Sequence, residues 1–298
     1  MRAACIDIGS NTIRLLVAEL KDDRLRGVHQ ERAFTRLGRS VAETGAIPAQ
    51  KLAEAAAVVV AQVAMARRHG ADPVRAVATA AIRDAANGAE LVAEIERLTG
   101  VAVRVLSGEE EARLAFVGAA GTLGSRLPSA DGGGGPLGVI DVGGGSCELV
   151  VGSPPATIGW WASVRVGSGA LSERCLNGDP PLPGELAAAR EAAADAFAGL
   201  APPRPERAVA VGGGAASLAR LAGRRLDRAA VEQSLTVLAA QPAAEVARRF
   251  GIDPERARLL AAALLILQAA GELFGVEPVV GRGGIREGVL LDALGTHG

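Results

Sequence analysis

The chain has 298 residues, with 32 Lys and Arg against 33 Asp and Glu, so its formal net charge is −1. Hydrophobic residues at 49% and charged residues at 22% exclude a disordered chain, and the length suggests two domains. The balanced charge excludes the basic excess of a general nucleic-acid or membrane binder, and aromatic residues at 2%, with no Tyr, leave few stacking platforms for bases.

The N-terminal half opens with an apolar run, Ala3–Ile8, a Gly-Ser-Asn turn and a second run, Ile13–Leu20. That is a β-hairpin signal. A third strand is expected over Gly27–Thr35, and Pro48 starts a long Ala-rich helix that ends near Gly70. Arg75–Ala78 and Val101–Leu106 alternate with helical segments, a βαβ rhythm that predicts a parallel part of the sheet. Ser107 followed by Glu109, Glu110 and Glu111 reads as a capped helix start, where carboxylates also suit the positive end of the helix dipole.

The Gly-rich run over residues 129–136 can sustain neither helix nor strand, and a domain boundary is placed close to it. The expected division is 1–124, a linker over 125–136, and 137–298, with the last helix free to return to the first domain. The second half repeats the opening of the first: strand Leu137–Val142, turn Gly143–Ser146, strand Cys147–Gly152. AACIDIGSNTIRLLVAE aligns with LGVIDVGGGSCELVVG, so one supersecondary unit occurs once per domain. Two such halves imply a cleft between them. Leu259–Ala270 is the most apolar stretch, but Gln268 interrupts it short of the ~20 residues of a membrane span. It reads as a buried core helix. The N-terminus shows no signal-peptide pattern, so a cytoplasmic location is expected. Three Cys without CxxC spacing indicate neither disulfides nor zinc; Cys5, Cys147 and Cys175 read as buried, inert thiols.

Each repeated turn follows an apolar strand that ends in Asp-x-Gly. Such turns point successive N–H groups into one concavity that suits phosphate oxygens; alone, each could equally be a tight hairpin. The duplication favours phosphate, bound by Gly9, Ser10 and Asn11 in one turn and by Gly143, Gly144, Gly145 and Ser146 in the other. Asp7 and Asp141 would repel a phosphate unless a cation lies between, and Mg²⁺ favours carboxylate, water and phosphate oxygens together.

These paired turns look like those of the actin, Hsp70 and sugar-kinase superfamily. DIGSNTIRLLVAE, ATAAIRDAANG, SGEEEARLAFVGA and DVGGGSCELVVG, in that order, resemble the exopolyphosphatase and guanosine pentaphosphate phosphohydrolase (Ppx/GppA) family within it. SVRVGSGALSER, AVGGGAASLARL and GRGGIREGVLLDAL continue the resemblance through most of the chain. It implies two α/β domains of ribonuclease-H-like topology around a central cleft. It also implies Mg²⁺-dependent hydrolysis of a terminal phosphoanhydride, in inorganic polyphosphate or in guanosine pentaphosphate, by a homodimer. The family pattern places the catalytic base on Glu111, a further acidic site residue on Glu148, and phosphate-binding arginines on Arg83 and Arg165. Asp141, Asp7 and Glu148 are the expected metal ligands, Asp141 and Glu148 also counting with Glu111 as catalytic.

The residues support a carboxylate base independently: none of the three His (His29, His69, His297) lies beside a phosphate turn. Successive helical residues point about 100° apart, so one of Glu109, Glu110 and Glu111 faces the cleft squarely; Glu111 is preferred and Glu110 is the alternative. Arg83 and Arg165 could instead form surface or structural ion pairs. If they serve the ligand alone, their removal leaves thermal stability nearly unchanged. Arg282 and Arg286 flank a glycine turn and either contact an anion or cap the cleft. Gly212–Gly214 is either a nucleotide-side loop or a plain strand-to-helix turn. Cys147 stands where the family commonly has Thr, and the chain resembles the short, two-domain form. A kinase or ATPase on the same fold, and a non-catalytic polyphosphate or alarmone sensor, are the rival readings.

Overall fold

The computed structural model describes residues 1–22, 24–123 and 135–294. Most of the expected linker, residues 125–134, lies outside the described residues, as does His297. The chain forms two compact units, Met1–Thr122 with Gly283–Gly298, and Leu123–Arg282.

In the first unit, strands β1 (Arg2–Ile8), β2 (Thr12–Lys21) and β3 (Arg24–Phe34) form an antiparallel meander. Helices α1 (Leu37–Thr44) and α2 (Ala49–Arg68) lead to β4 (Val74–Ala78), which pairs parallel to β1. Then α3 (Ala80–Asp84) and α4 (Gly88–Thr99) lead to β5 (Val103–Val105), and α5 (Gly108–Leu123) follows. The sheet order is β3-β2-β1-β4-β5. Alternation along β1 divides its side chains between two cores. Ala4, Ile6 and Ile8 pack with Val59 and Val63 of α2 and with Leu91 and Ile95 of α4. Ala3 and Cys5 face the opposite way, with Leu114 of α5 and with Val289 and Leu290 of the final helix.

The second unit repeats the plan. Its strands β6 (Leu137–Val142), β7 (Cys147–Ser153) and β8 (Thr157–Val164) are antiparallel neighbours. Helices α6 (Ser168–Cys175) and α7 (Pro183–Ala196) precede β9 (Arg207–Val211), which pairs parallel to β6. Helices α8 (Ala215–Ala222), α9 (Arg228–Ala240), α10 (Ala243–Phe250), α11 (Pro254–Ala257) and α12 (Leu260–Phe274) precede β10 (Pro278–Val280). The order β10-β9-β6-β7-β8 is that of the first sheet, so each unit has ribonuclease-H-like topology. The apolar stretch near residue 260 is α12, buried at the centre of one continuous core with Ile140, Leu149, Leu218 and Leu235.

Helix α13 (Ile285–Ala293) belongs to the first unit and lies against α5 at backbone distance. A Cβ on Gly118 would stand 2.0 Å from the Gly284 carbonyl oxygen, and one on Gly288 2.1 Å from that of Leu114. Only glycine permits this approach. Helix α2 is long and apolar enough, by length and composition alone, to cross a membrane, and one side of it packs into the first core.

Candidate active site

Each unit holds its Asp-Gly turn by the same device. In the first, Gly9 N–H closes the hairpin on Thr12 O (3.1 Å), Ser10 O accepts from Gly38 N–H (2.7 Å), and Asn11 O accepts from Thr35 and Arg36 N–H (3.1 Å each). In the second, Gly143 N–H donates to Ser146 O (3.0 Å), Gly143 O accepts from Ser168 N–H (2.9 Å), and Gly144 O accepts from Gly169 and Ala170 N–H (3.0 Å each). The start of the helix after the third strand thus pulls the turn's carbonyls to one side. Among the described residues no backbone acceptor takes the N–H groups of Ser10, Asn11, Gly144 or Gly145. Those donors are what a phosphate oxygen requires.

The carboxylates at the two turns differ in their neighbours. Asp7 is paired across the ladder with Arg14, and its Oδ1 is shut off from solvent without a hydrogen-bond partner. Burial pushes its carboxyl above the ordinary range, opposed by the cations Arg14 and Arg286. Asp141 is paired with Glu148, and both are buried, at 5% and 2% exposure. Ser163 Oγ donates to Glu148 Oε1 (2.9 Å). Gly212, with φ +93°, lies against Asp141: a Cβ there would stand 2.1 Å from Oδ1. Gly212–Gly214 is therefore a strand-to-helix turn, between β9 and α8, that abuts the acidic pair.

Two buried carboxylates directly opposite one another repel, and a cation beside them relieves that repulsion. Among the described residues no three His, Cys, Asp or Glu side chains gather into a complete metal-binding group. Mg²⁺ is ordinarily held by one or two carboxylates and completes its shell with water and phosphate oxygens. Asp141 and Glu148 fit such an ion.

The three glutamates of α5 have separate positions. Glu109 is exposed. Glu110 closes a capping box, accepting from Ser107 N–H (2.8 Å) while its own N–H donates to Ser107 Oγ (3.2 Å). The Ser107 N–H holds the Glu110 carboxyl below its usual range. Glu111 is 2% exposed and forms an ion pair with Arg83, whose Nη1 also donates to Leu106 O. Arg83 sits on α3 next to Thr79, so the β4–α3 turn brings it to the start of α5. Arg83 therefore makes the ion pair that the sequence reading kept as its alternative role.

Arg165 stands one residue past the end of β8, exposed, and not within a strand. Its counterpart in the first unit, Arg36, went unnoticed in the sequence. Arg36-Leu37-Gly38 and Arg165-Val166-Gly167 follow the third strand of each sheet, and Arg36 adopts φ +51°. Extending the repeat past the hairpin would have found it. Arg286 is buried and donates to Leu15 O (3.1 Å), a structural contact; Arg282 is exposed. Cys147 points into the second core, so the absent Thr hydroxyl is not missing from the turn's donors. Burial raises the thiols of Cys5 and Cys147, and Cys175 at the end of α6 is half-buried.

Two ribonuclease-H-like units, each with an acidic hairpin turn rich in free donors, define a phosphate-handling protein of the superfold. The model of the Ppx/GppA phosphatase family matches residues 16–297. Exopolyphosphatase 2 of Mycobacterium tuberculosis is 38% identical over 198 residues, which cover 63% of this chain and 59% of that protein. An uncharacterized Streptomyces coelicolor protein is 33% identical over 98% of this chain and 90% of its own length. The crystal structure of the Aquifex aeolicus member of the family superposes with a TM-score of 0.80 at 28% identity, covering 99% of this chain and 97% of that one. The chain belongs to the Ppx/GppA phosphatase family.

Proposed function

We propose that this protein is an exopolyphosphatase, releasing phosphate from the end of inorganic polyphosphate by hydrolysis of the terminal phosphoanhydride. The observation that carries the reading is the duplicated turn: donors clamped outward, with a carboxylate at its base, Asp7 in the first and the buried Asp141 in the second. Backbone N–H groups at Ser10 and Asn11, and at Gly144 and Gly145, donate to the phosphate oxygens, with Gly9, Gly143 and the Ser146 hydroxyl completing the turns. Arg83 and Arg165 add guanidinium forks, which match phosphate geometry. Asp141 and Glu148, with Asp7, hold Mg²⁺; when bound, the ion neutralises phosphate charge and favours attack on phosphorus. Glu111 takes the proton from the attacking water, held in orientation by Arg83.

Guanosine pentaphosphate ends in the same anhydride and is the second reading. One observation favours it: Trp161, 40% exposed, stands on the face of β8 that carries Ser163, and a guanine could stack there. We also propose a cytoplasmic location and a homodimer, which light scattering of the purified chain tests. The deciding experiment is phosphate release from both substrates side by side, with Mg²⁺ and with EDTA. Release from polyphosphate that EDTA abolishes and Mg²⁺ restores is the expected result. Full activity in chelator removes the metal assignment, and binding of either substrate without phosphate release would leave a sensor.

A further inference from the structure

A clamp made of backbone needs no particular side chain, yet an arginine stands at its start in both units, Arg36 just past β3 and Arg165 just past β8. Arg36 N–H joins that of Thr35 on Asn11 O, and two residues later Gly38 N–H reaches Ser10 O. A Cβ on Gly38 would stand 2.8 Å from Ser10 Cβ, and one on Gly167 2.3 Å from the Gly144 carbonyl carbon. Each arginine is therefore two residues from backbone that rests on a turn. Arg36 does this in the left-handed region, at φ +51° and ψ +41°. The other non-glycine residue with positive φ, among the described residues, is Asp22 in the turn between β2 and β3, where a short acidic side chain is tolerated. A long side chain has no such local hydrogen bond to offset the steric cost, and Gly or Asn would supply the same bend more cheaply.

We propose that Arg36 is a substrate-binding residue of the first turn: its guanidinium takes oxygens of the phosphate that the Ser10 and Asn11 N–H groups hold, as Arg165 does at the second turn. The two arginines share a place in the repeat but not a backbone conformation, since Arg165 has no positive φ. What recurs is the side chain, and it is exposed in both units, where it packs no core. The clamp turns the Asn11 carbonyl onto Arg36 N–H, so the guanidinium starts from backbone that is bonded directly to the turn. A planar fork that stays charged binds two phosphate oxygens at once and leaves the others to the N–H groups. Strain kept at such a position is the usual companion of a ligand contact. That the ligand is a phosphate rests on the proposed function; that Arg36 is retained for a ligand and not for the fold does not.

The test compares Arg36→Asn and Arg36→Gly with wild type in the full chain, by thermal unfolding without ligand and by kinetics of phosphate release from inorganic polyphosphate with Mg²⁺. Both replacements accept the left-handed conformation, so the Tm should hold or rise by up to about 4 °C. The KM should rise about 10–100-fold, with kcat changed less, as the loss of a charge-assisted contact to bound substrate requires. Arg36→Lys, which keeps the charge without the fork, should fall between. Arg165→Asn should weaken substrate use without raising the Tm, because no strain is relieved there. A lower Tm or loss of folded protein in both Arg36→Asn and Arg36→Gly overturns the proposal, since the arginine then serves the fold. Wild-type KM in either variant overturns it too. If wild type binds polyphosphate but releases no phosphate, the exopolyphosphatase reading fails on its own, and the same fold-change is read as a Kd by titration calorimetry. If wild type binds no polyphosphate, both fail.

Discussion

The three glutamates that open α5 can be separated by one mutant series, because each has a different environment. Glu111→Gln keeps shape but accepts no proton at neutral pH, so turnover should fall about 10²–10⁴-fold, or roughly 3–5 kcal/mol of barrier. Substrate affinity should change far less than turnover, since the turns and Arg165 are untouched and the new amide can still accept a hydrogen bond from Arg83. Glu110→Ala should do the reverse. It removes the acceptor of the Ser107 N–H and half of a capping box, about 0.5–1 kcal/mol of stability, and leaves turnover near wild type. In Tm that is roughly 1–4 °C. The Glu110 carboxyl is held below its unfolded value, so its contribution is complete above about pH 4.3 and fades as pH falls through the folded value. The Tm difference between wild type and Glu110→Ala should therefore close on acidification. Glu109→Gln, on an exposed side chain, should change neither quantity. Turnover by malachite-green phosphate detection and Tm by circular dichroism are read on the same preparations. Near-normal turnover in Glu111→Gln with loss in Glu110→Ala would move the base by one residue, and normal turnover in all three would remove carboxylate base catalysis from this helix.

Arg83→Met should lose both turnover and stability: it strips a partner from a buried carboxylate, and with Arg83 itself 29% exposed the cost should be about 1–3 kcal/mol, measured by urea unfolding. Gly212→Ala should fold with strain at φ +93° and lose at least about tenfold in activity, because the new methyl displaces Asp141; a Mg²⁺ titration unchanged from wild type would count against that contact. Native protein treated with a maleimide should be labelled at Cys175 alone, with Cys5 and Cys147 reacting only after unfolding, as mass spectrometry can show.

The hairpins, the parallel strands and the buried α12 were legible because each has a periodicity or a turn residue that only one local structure satisfies. Asp7-Ile8-Gly9 and Asp141-Val142-Gly143 announced both turns, and Ser107 with Glu110 announced the capping box. What stayed hidden depends on contacts distant in sequence. The carbonyl clamp from Gly38 and from Gly169 becomes visible only when the third strand has returned. The placement of Arg286 beside β2 spans 271 residues. The pairing of Arg83 with Glu111 required knowing that β4 and β5 lie side by side, which brings α3 to the start of α5.

The repeat itself contained one further signal. Seven residues after its Asp, the first hairpin has Arg14 and the second has Glu148, and the observed ladders make these the direct partners of Asp7 and Asp141. Identical backbone registers therefore present opposite charge. A carboxylate faced by a guanidinium attracts a divalent cation weakly, whereas two carboxylates face to face attract one more strongly. On that ground the proposed Mg²⁺ is expected to be held by Asp141 and Glu148 more strongly than by Asp7, even though the two turns align residue for residue. The duplication thus gives two turns of the same shape, and a single charge difference across each hairpin separates them: carboxylate facing carboxylate at the second, carboxylate facing guanidinium at the first.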